Sequence, residues 1–185
     1  MYYLLETNYF AEPPPYRTRA VNAEFRYEPS RWKTGKKMVL PDEPVRIELW
    51  ERGGTGLAAV FLDSIPLFRN DVVEALYSAG VQNLQACSAI LKPEGDKAEV
   101  PGYSAVNIVG LVSAADMTKS KYDDITGIGI IAVGFRKLVI DEKLAGGHLL
   151  FRLAQAVTAI IVHEKVKTAL DKKEFKYLSF RPLVE

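Results

Sequence analysis

From Val45 the chain alternates: Val45, Ile47 and Leu49 are apolar, and Arg46, Glu48 and Trp50 fall between them. A period of two predicts a half-buried strand, here ending at the Gly53-Gly54 turn. Shorter apolar runs predict a first strand near Tyr2–Glu6 and another at Leu57–Leu62. The period then changes. Val72, Val73, Ala75, Leu76 and Ala79 recur at helical spacing, Asp71 with Glu74 reads as a capping box, and Gly80 stands where a left-handed cap is wanted. These predict a helix over about 71–79. β-branched residues predict strands at Val81–Leu91, Tyr103–Val112 and Ile128–Ile140, with Gly127, Gly129 and Gly134 as sites of bends or bulges. After an apolar segment at Leu149–Val162, the positions of Val166, Ala169 and Leu170 give a second helix over about 164–172. A last strand follows at Tyr177–Leu183. The predicted class is α+β, mostly antiparallel β-sheet with two principal short helices.

Laid over each other, the two helices correspond. Val72, Ala75, Leu76, Val81 and Leu84 match Val166, Ala169, Leu170, Phe175 and Leu178 at a constant offset of 94. Internal duplication gives this pattern, and so does independent use of a stable helix-to-strand corner. Either way it predicts two similarly packed corners on one sheet. The stretch from about 11 to 44 has no such period, and Pro13, Pro14, Pro15, Pro29, Pro41 and Pro44 predict an irregular connection.

With 185 residues, 48% of them hydrophobic, the chain has material for one core, which predicts a single domain over 1–185. Its formal net charge of +1 supplies no global field toward nucleic acid or an anionic membrane. Cys87 is the lone cysteine, so the fold stands on packing without a disulfide, as in a reducing compartment. Met1–Phe10 lacks a basic start and a long apolar stretch, and the run at Ala154–Val162 is short and holds Gln155 and Thr158. No secretory signal or membrane span is predicted, which points to the cytoplasm.

Candidate chemistry is sparse. His148, His163 and Cys87 lack metal-ligand spacing; His163 is placed to cap the second helix, and His148 follows the Gly146-Gly147 turn. Gly127-Ile-Gly129-Ile-Ile-Ala132 looks like the start of a dinucleotide fingerprint, but Val133–Ile140 continues as strand instead of opening a helix. No Lys-Ser or Lys-Thr follows Gly53, Gly54 or Gly95, and no nucleophile elbow surrounds Ser64, Ser78, Ser88, Ser104 or Ser113. The chain is therefore assigned no catalytic residue, metal or cofactor. An enzyme built from unmarked loops would have to draw on Asp123, Asp124, His148 and His163, of which the two aspartates read as a solvated loop beside Lys119 and Lys121.

One segment asks for a function. Tyr9, Phe10, Tyr16, Phe25, Tyr27 and Trp32 are interleaved with arginines, and residues 11–40 hold seven basic side chains against three acidic ones. Aromatic residues and Arg are the types enriched at protein interfaces, so Tyr16, Arg17, Arg19, Tyr27, Arg31 and Trp32 are the candidate partner contacts. Two other readings stand beside this one. The aromatics, Tyr27 and Trp32 among them, fold back and pin the loop to the sheet; or residues 11–40 stack on single-stranded nucleic acid.

From residue 57 onward the order of pieces carries a resemblance. Leu62-Asp63-Ser64-Ile65-Pro66 leads into Asn70-Asp71-Val72-Val73-Glu74-Ala75-Leu76 and Gly80-Val81-Gln82-Asn83-Leu84-Gln85. Gly102–Ile108, the Asp116–Ser120 turn, Leu150–Leu153, Ile161-Val162, Glu164–Leu170 and Phe180–Leu183 follow. In this order the chain resembles the eleventh family of immunity proteins from bacterial polymorphic-toxin systems, typified by a myxobacterial protein. Where many relatives have a small hydroxyl residue capping the last helix, this chain has His163, and the stretch before residue 45 matches nothing in the family pattern. The resemblance implies a cytosolic antidote that binds a cognate toxin protein and occludes its active surface, without catalytic residues.

Overall fold

The computed structural model describes residues 1–20, 29–50, 54–63, 65–95, 97–124 and 133–183. Gly127 and Gly129, with the first part of the strand expected at Ile128–Ile140, fall outside these, as do Ser64 and Gly53. A six-stranded sheet runs in the order β2 (Arg17–Ala20), β3 (Val45–Trp50), β6 (Leu84–Pro93), β7 (Val100–Ile108), β5 (Leu67–Arg69), β4 (Val60–Phe61). A five-stranded sheet has the order β13 (Leu178–Pro182), β1 (Tyr2–Thr7), β12 (Ala156–His163), β11 (Leu150–Leu153), β8 (Leu111–Val112). β9 (Lys121–Asp124) and β10 (Val133–Lys137) form a separate two-stranded sheet with a register shift after Phe135. The helices are α1 (Asn70–Ser78), the short α2 (Glu142–Ala145) and α3 (Glu164–Asp171), so the class is α+β as expected.

Alternation decides which face each strand buries. Leu5, Leu150, Ile160 and Val162 from the five-stranded sheet meet Val60, Phe68, Val106 and Ile108 from the six-stranded one in a common core. Val72, Leu76, Val166 and Leu170 bring α1 and α3 into that core. The opposite face of the six-stranded sheet packs Ile47, Leu49, Leu91 and Ala105 under Tyr16 and Trp32. The opposite face of the five-stranded sheet packs Tyr2, Phe151 and Ile161 against Ala114, Ala115 and Ala145.

The offset of 94 also relates the strands that flank the helices, β5 to β12 and β6 to β13, and the strands packed beside them correspond at other offsets. α1 lies between β5 and β6, and α3 lies between β12 and β13. In each case one antiparallel strand separates the two flanking strands: β7 in the first unit, β1 in the second. Registers agree residue for residue. Arg69, Phe68 and Leu67 face Tyr103, Ser104 and Ala105, as His163, Val162 and Ile161 face Tyr2, Tyr3 and Leu4. Leu84, Gln85 and Ala86 face Ile108, Asn107 and Val106, as Leu178, Ser179 and Phe180 face Thr7, Glu6 and Leu5. A fourth strand sits outside each unit, β4 on β5 and β11 on β12, with Val60↔Phe68 matching Leu150↔Val162. The two corners thus lie on two sheets, not on one, with their helices side by side in the common core.

Other expectations are corrected by packing. The stretch 11–44 is not wholly irregular: β2 pairs with β3, and a 3-10 helix at Pro29–Lys33 drives Trp32 into the core. The strand expected at Leu57–Leu62 shrinks to Val60–Phe61, because Gly56 bridges to Pro15 and the Ala59 amide bonds Lys176 O instead. The strand expected at Tyr103–Val112 breaks at Gly110, whose φ of +101° sends the chain from one sheet to the other. Asp71 forms no capping box. Strand β5 runs straight into α1, Arg69 occupies the N-cap without a side-chain cap, and its guanidinium grips Asp71 through two hydrogen bonds of 2.7 and 2.8 Å. That bond, with the charge behind it, holds the Asp71 carboxyl below its usual range.

Candidate functional site

β2 is an edge strand, and its alternation turns Thr18 and Ala20 toward the core and Arg17 and Arg19 outward. Arg17 lies over the Tyr9 ring, 3.4 Å from its centroid, and its Nη1 pairs with Asp63 at 3.2 Å. The same carboxylate accepts from the Thr18 backbone N–H at 2.9 Å, which ties the loop before β5 to the edge strand. Burial, followed by the negative charge of Asp63, raises the Tyr9 phenol above its ordinary pKa.

Arg19 pairs with Glu48 and lies over Trp50, 4.4 Å from the ring centroid. Across the sheet Glu48 is in register with both Arg19 and Lys92, so one carboxylate stands between two cations on three neighbouring strands. Arg46, also outward on β3, pairs with Glu99 at 2.6 Å. Arg19, Glu48, Lys92, Pro93, Glu94 and Gly95 line a shallow hollow of 330 Å³. The result is an open sheet face on which guanidiniums stand over aromatic rings and are paired with carboxylates.

The six residues selected from the sequence do not converge. Arg17 and Arg19 share this face, whereas Tyr16 (6% exposed) and Trp32 (0%) are core residues on the other side of the same sheet. Arg31 is exposed on the 3-10 helix, on Trp32's side of the sheet, and Tyr27 lies outside the described residues. Buried rings cannot touch a partner, so the two aromatic contacts are replaced by packing, in line with the alternative that Trp32 folds back. Trp50, Arg46 and Lys92 were missed. Their signal was present, since Trp50 occupies the polar phase of an alternating strand, where an aromatic side chain contributes nothing to that strand's own core.

The acid and base candidates are scattered. His163 caps α3, its Nδ1 accepting from the Lys165 backbone N–H at 3.1 Å, and its ring meets Tyr2 edge-on at 5.1 Å. His148 meets Phe151 at 6.2 Å in the same aromatic row. Asp123 sits apart on β9 in a two-bond pair with Arg136. The side chain of Asp124 lies outside the described residues.

The model of the Imm11 immunity protein family matches residues 70–185. This chain belongs to the Imm11 family. No curated protein sequence matches it significantly. The match begins at the first residue of α1, so this Imm11 chain carries its arginine face mainly on strands that precede the matched part, with Lys92 contributed from inside it. Among the described residues of the Imm11 chain, no helix is long and apolar enough to cross a membrane.

Proposed function

We propose that this Imm11 chain is a non-catalytic immunity protein that binds a cognate toxin in the bacterial cytoplasm and neutralises it by covering the toxin's working surface. Family membership over residues 70–185 is the observation that carries this reading. The contact surface in this proposal is the outward face of β2, β3 and β6, with Arg17 and Arg19 as anchors around Trp50; Arg31, on the other side of the sheet, belongs to it only if the partner wraps the β2 edge. Guanidiniums already stacked on rings lose little side-chain freedom on binding, and Arg and Trp are the types whose truncation costs interfaces most. Nucleic acid is a poorer fit to the same face, because Asp63, Glu48 and Glu99 already oppose its arginines.

The test is a variant with Arg17, Arg19 and Arg31 all changed to Ala, made beside the toxin encoded alongside it. Exposed ion pairs contribute little to folding, so the variant should melt within a few degrees of the parent. Its affinity should fall by ~30-fold or more, the equivalent of about 2 kcal/mol, mostly through faster dissociation. Unchanged affinity and full protection of cells would place the interface elsewhere.

A further inference from the structure

Between the 3-10 helix and β3 the chain crosses the six-stranded sheet without becoming one of its strands. Its course is nevertheless strand-like. Met38 and Leu40 are half-buried against the core that holds Trp32, and Lys37 and Val39, which alternate with them, are exposed, Val39 to 95%. Two side-chain amides stand in for a neighbouring strand along one edge. On β6, the Gln85 amide accepts from the Met38 backbone N–H at 3.0 Å and donates to the Met38 carbonyl at 2.9 Å. Asn107, fully buried and opposite Gln85 on β7, donates to Gln85 Oε1 and to the Lys36 carbonyl, each at 2.9 Å. Gly110 adds a third clasp, its N–H donating to the Gly35 carbonyl at 2.7 Å.

The other edge is open. Among the described residues no hydrogen bond engages the backbone of Lys37 or Val39, and no carboxylate pairs with Lys36 or Lys37. Residues 29–40 hold four cations, Arg31, Lys33, Lys36 and Lys37, and no acidic residue, whereas Arg17, Arg19 and Arg46 on the opposite face have carboxylate partners. An edge of unpaired amides is a template for another strand, and lysines beside it repel a second copy of themselves while attracting opposite charge. We propose that the outer edge of residues 36–39 takes an extended, acidic segment of a protein partner as an added strand. The segment pairs with the backbone of Lys37 and Val39 and sets its carboxylates beside Lys36 and Lys37. Main-chain bonds supply the affinity in this mode, and the flanking side chains supply the preference. Because Gln85 and Asn107 already hold the receiving segment, little of its freedom is lost on binding. This surface lies across the sheet from Arg17 and Arg19, and it does not depend on the partner being a toxin.

The experiment titrates the intact protein, by calorimetry at low salt, with a short peptide of alternating glutamate and threonine. Saturable binding that weakens as salt is added is expected. Changing Lys36 and Lys37 together to Gln should weaken it about tenfold and leave the melting temperature unchanged. Val39→Pro removes an N–H that bonds nothing in the folded protein, so this variant should melt like the parent and lose the peptide. If it does not fold, the same peptide methylated on alternate backbone nitrogens makes the test, and its binding should be lost. No binding of the acidic peptide at millimolar concentration overturns the proposal. Equal affinity for a lysine-threonine counterpart, or undiminished affinity in the double lysine variant, does the same. Full binding by folded Val39→Pro, or of the methylated peptide, rules out strand addition. Tighter binding of oligothymidylate or of phosphatidylserine vesicles than of the peptide assigns the surface to nucleic acid or membrane and overturns the protein partner.

Discussion

Tyr103 shows how one side chain joins two parts of the fold. Its ring packs in the core beneath the six-stranded sheet, and its hydroxyl donates to Ala58 O at 2.7 Å, fixing the segment that precedes β4. Burial pushes its phenol up to about 12. The folded protein therefore holds this proton more tightly than the unfolded chain, whose phenol titrates near 10. The corresponding stability is fully present below about pH 10 and is lost as pH rises from there toward 12. Tyr103→Phe keeps the ring but strands the buried Ala58 carbonyl, so it should cost about 1–3 kcal/mol in urea denaturation at pH 7. The same variant should flatten the alkaline loss of stability, and an unchanged alkaline profile would assign that loss to another group.

The repeated unit makes sense of an otherwise odd backbone angle. Gly80 ends the first corner with φ +98°, and at the offset of 94 the equivalent residue is Glu174, with φ +46°. Both corners need a left-handed residue between helix and strand, yet only the first has the residue type that adopts it without a steric penalty. Glu174→Gly should therefore stabilise the protein by about 0.5–1 kcal/mol, the relief of strain at the turn exceeding the added freedom of the unfolded chain. Denaturant midpoints of parent and variant measure it, and a lower midpoint for the variant would show that Glu174 is held by contacts worth more than the strain.

At the scale of the whole molecule, both sheets and both principal helices share one core, so neither repeat can lose its helix without uncovering the other. Leu170 lies in the middle of that core at 1% exposure. Leu170→Ala should cost about 2–5 kcal/mol, from lost burial and the cavity left behind. Unfolding should remain a single transition, because the uncovered surface belongs to both sheets. Trp32 and Trp50 report on the six-stranded half, and far-ultraviolet circular dichroism reports on both halves. Coincident midpoints are expected from the two probes, whereas a dichroism change that precedes the fluorescence change would mean that the five-stranded sheet unfolds by itself.

Local pattern alone was enough for β3, both principal helices, the cap made by His163 and the recurrence at 94, since alternation, helical spacing and turn chemistry act within a few residues. It was also enough for the family, whose pattern lies in those same turns and apolar positions. Pairing between distant segments decided the rest. Asp71 reads as half of a capping box until the pairing of β5 with β7 runs the strand straight into the helix and leaves Arg69, two residues away, to hold it, and Trp32 reads as an anchor for a partner until the sheet takes it into its core. The arginine face existed in the sequence only as residues 17, 19, 46, 50 and 92, far apart along the chain. They became one surface when β2 and β6 took their registers on either side of β3. Nothing in the sequence marked Arg152 as a buried cation, because a charge in an apolar run can equally mark a strand edge. Its burial depends on the β11–β12 hairpin and on the sheets closing over it, which are contacts no local window contains.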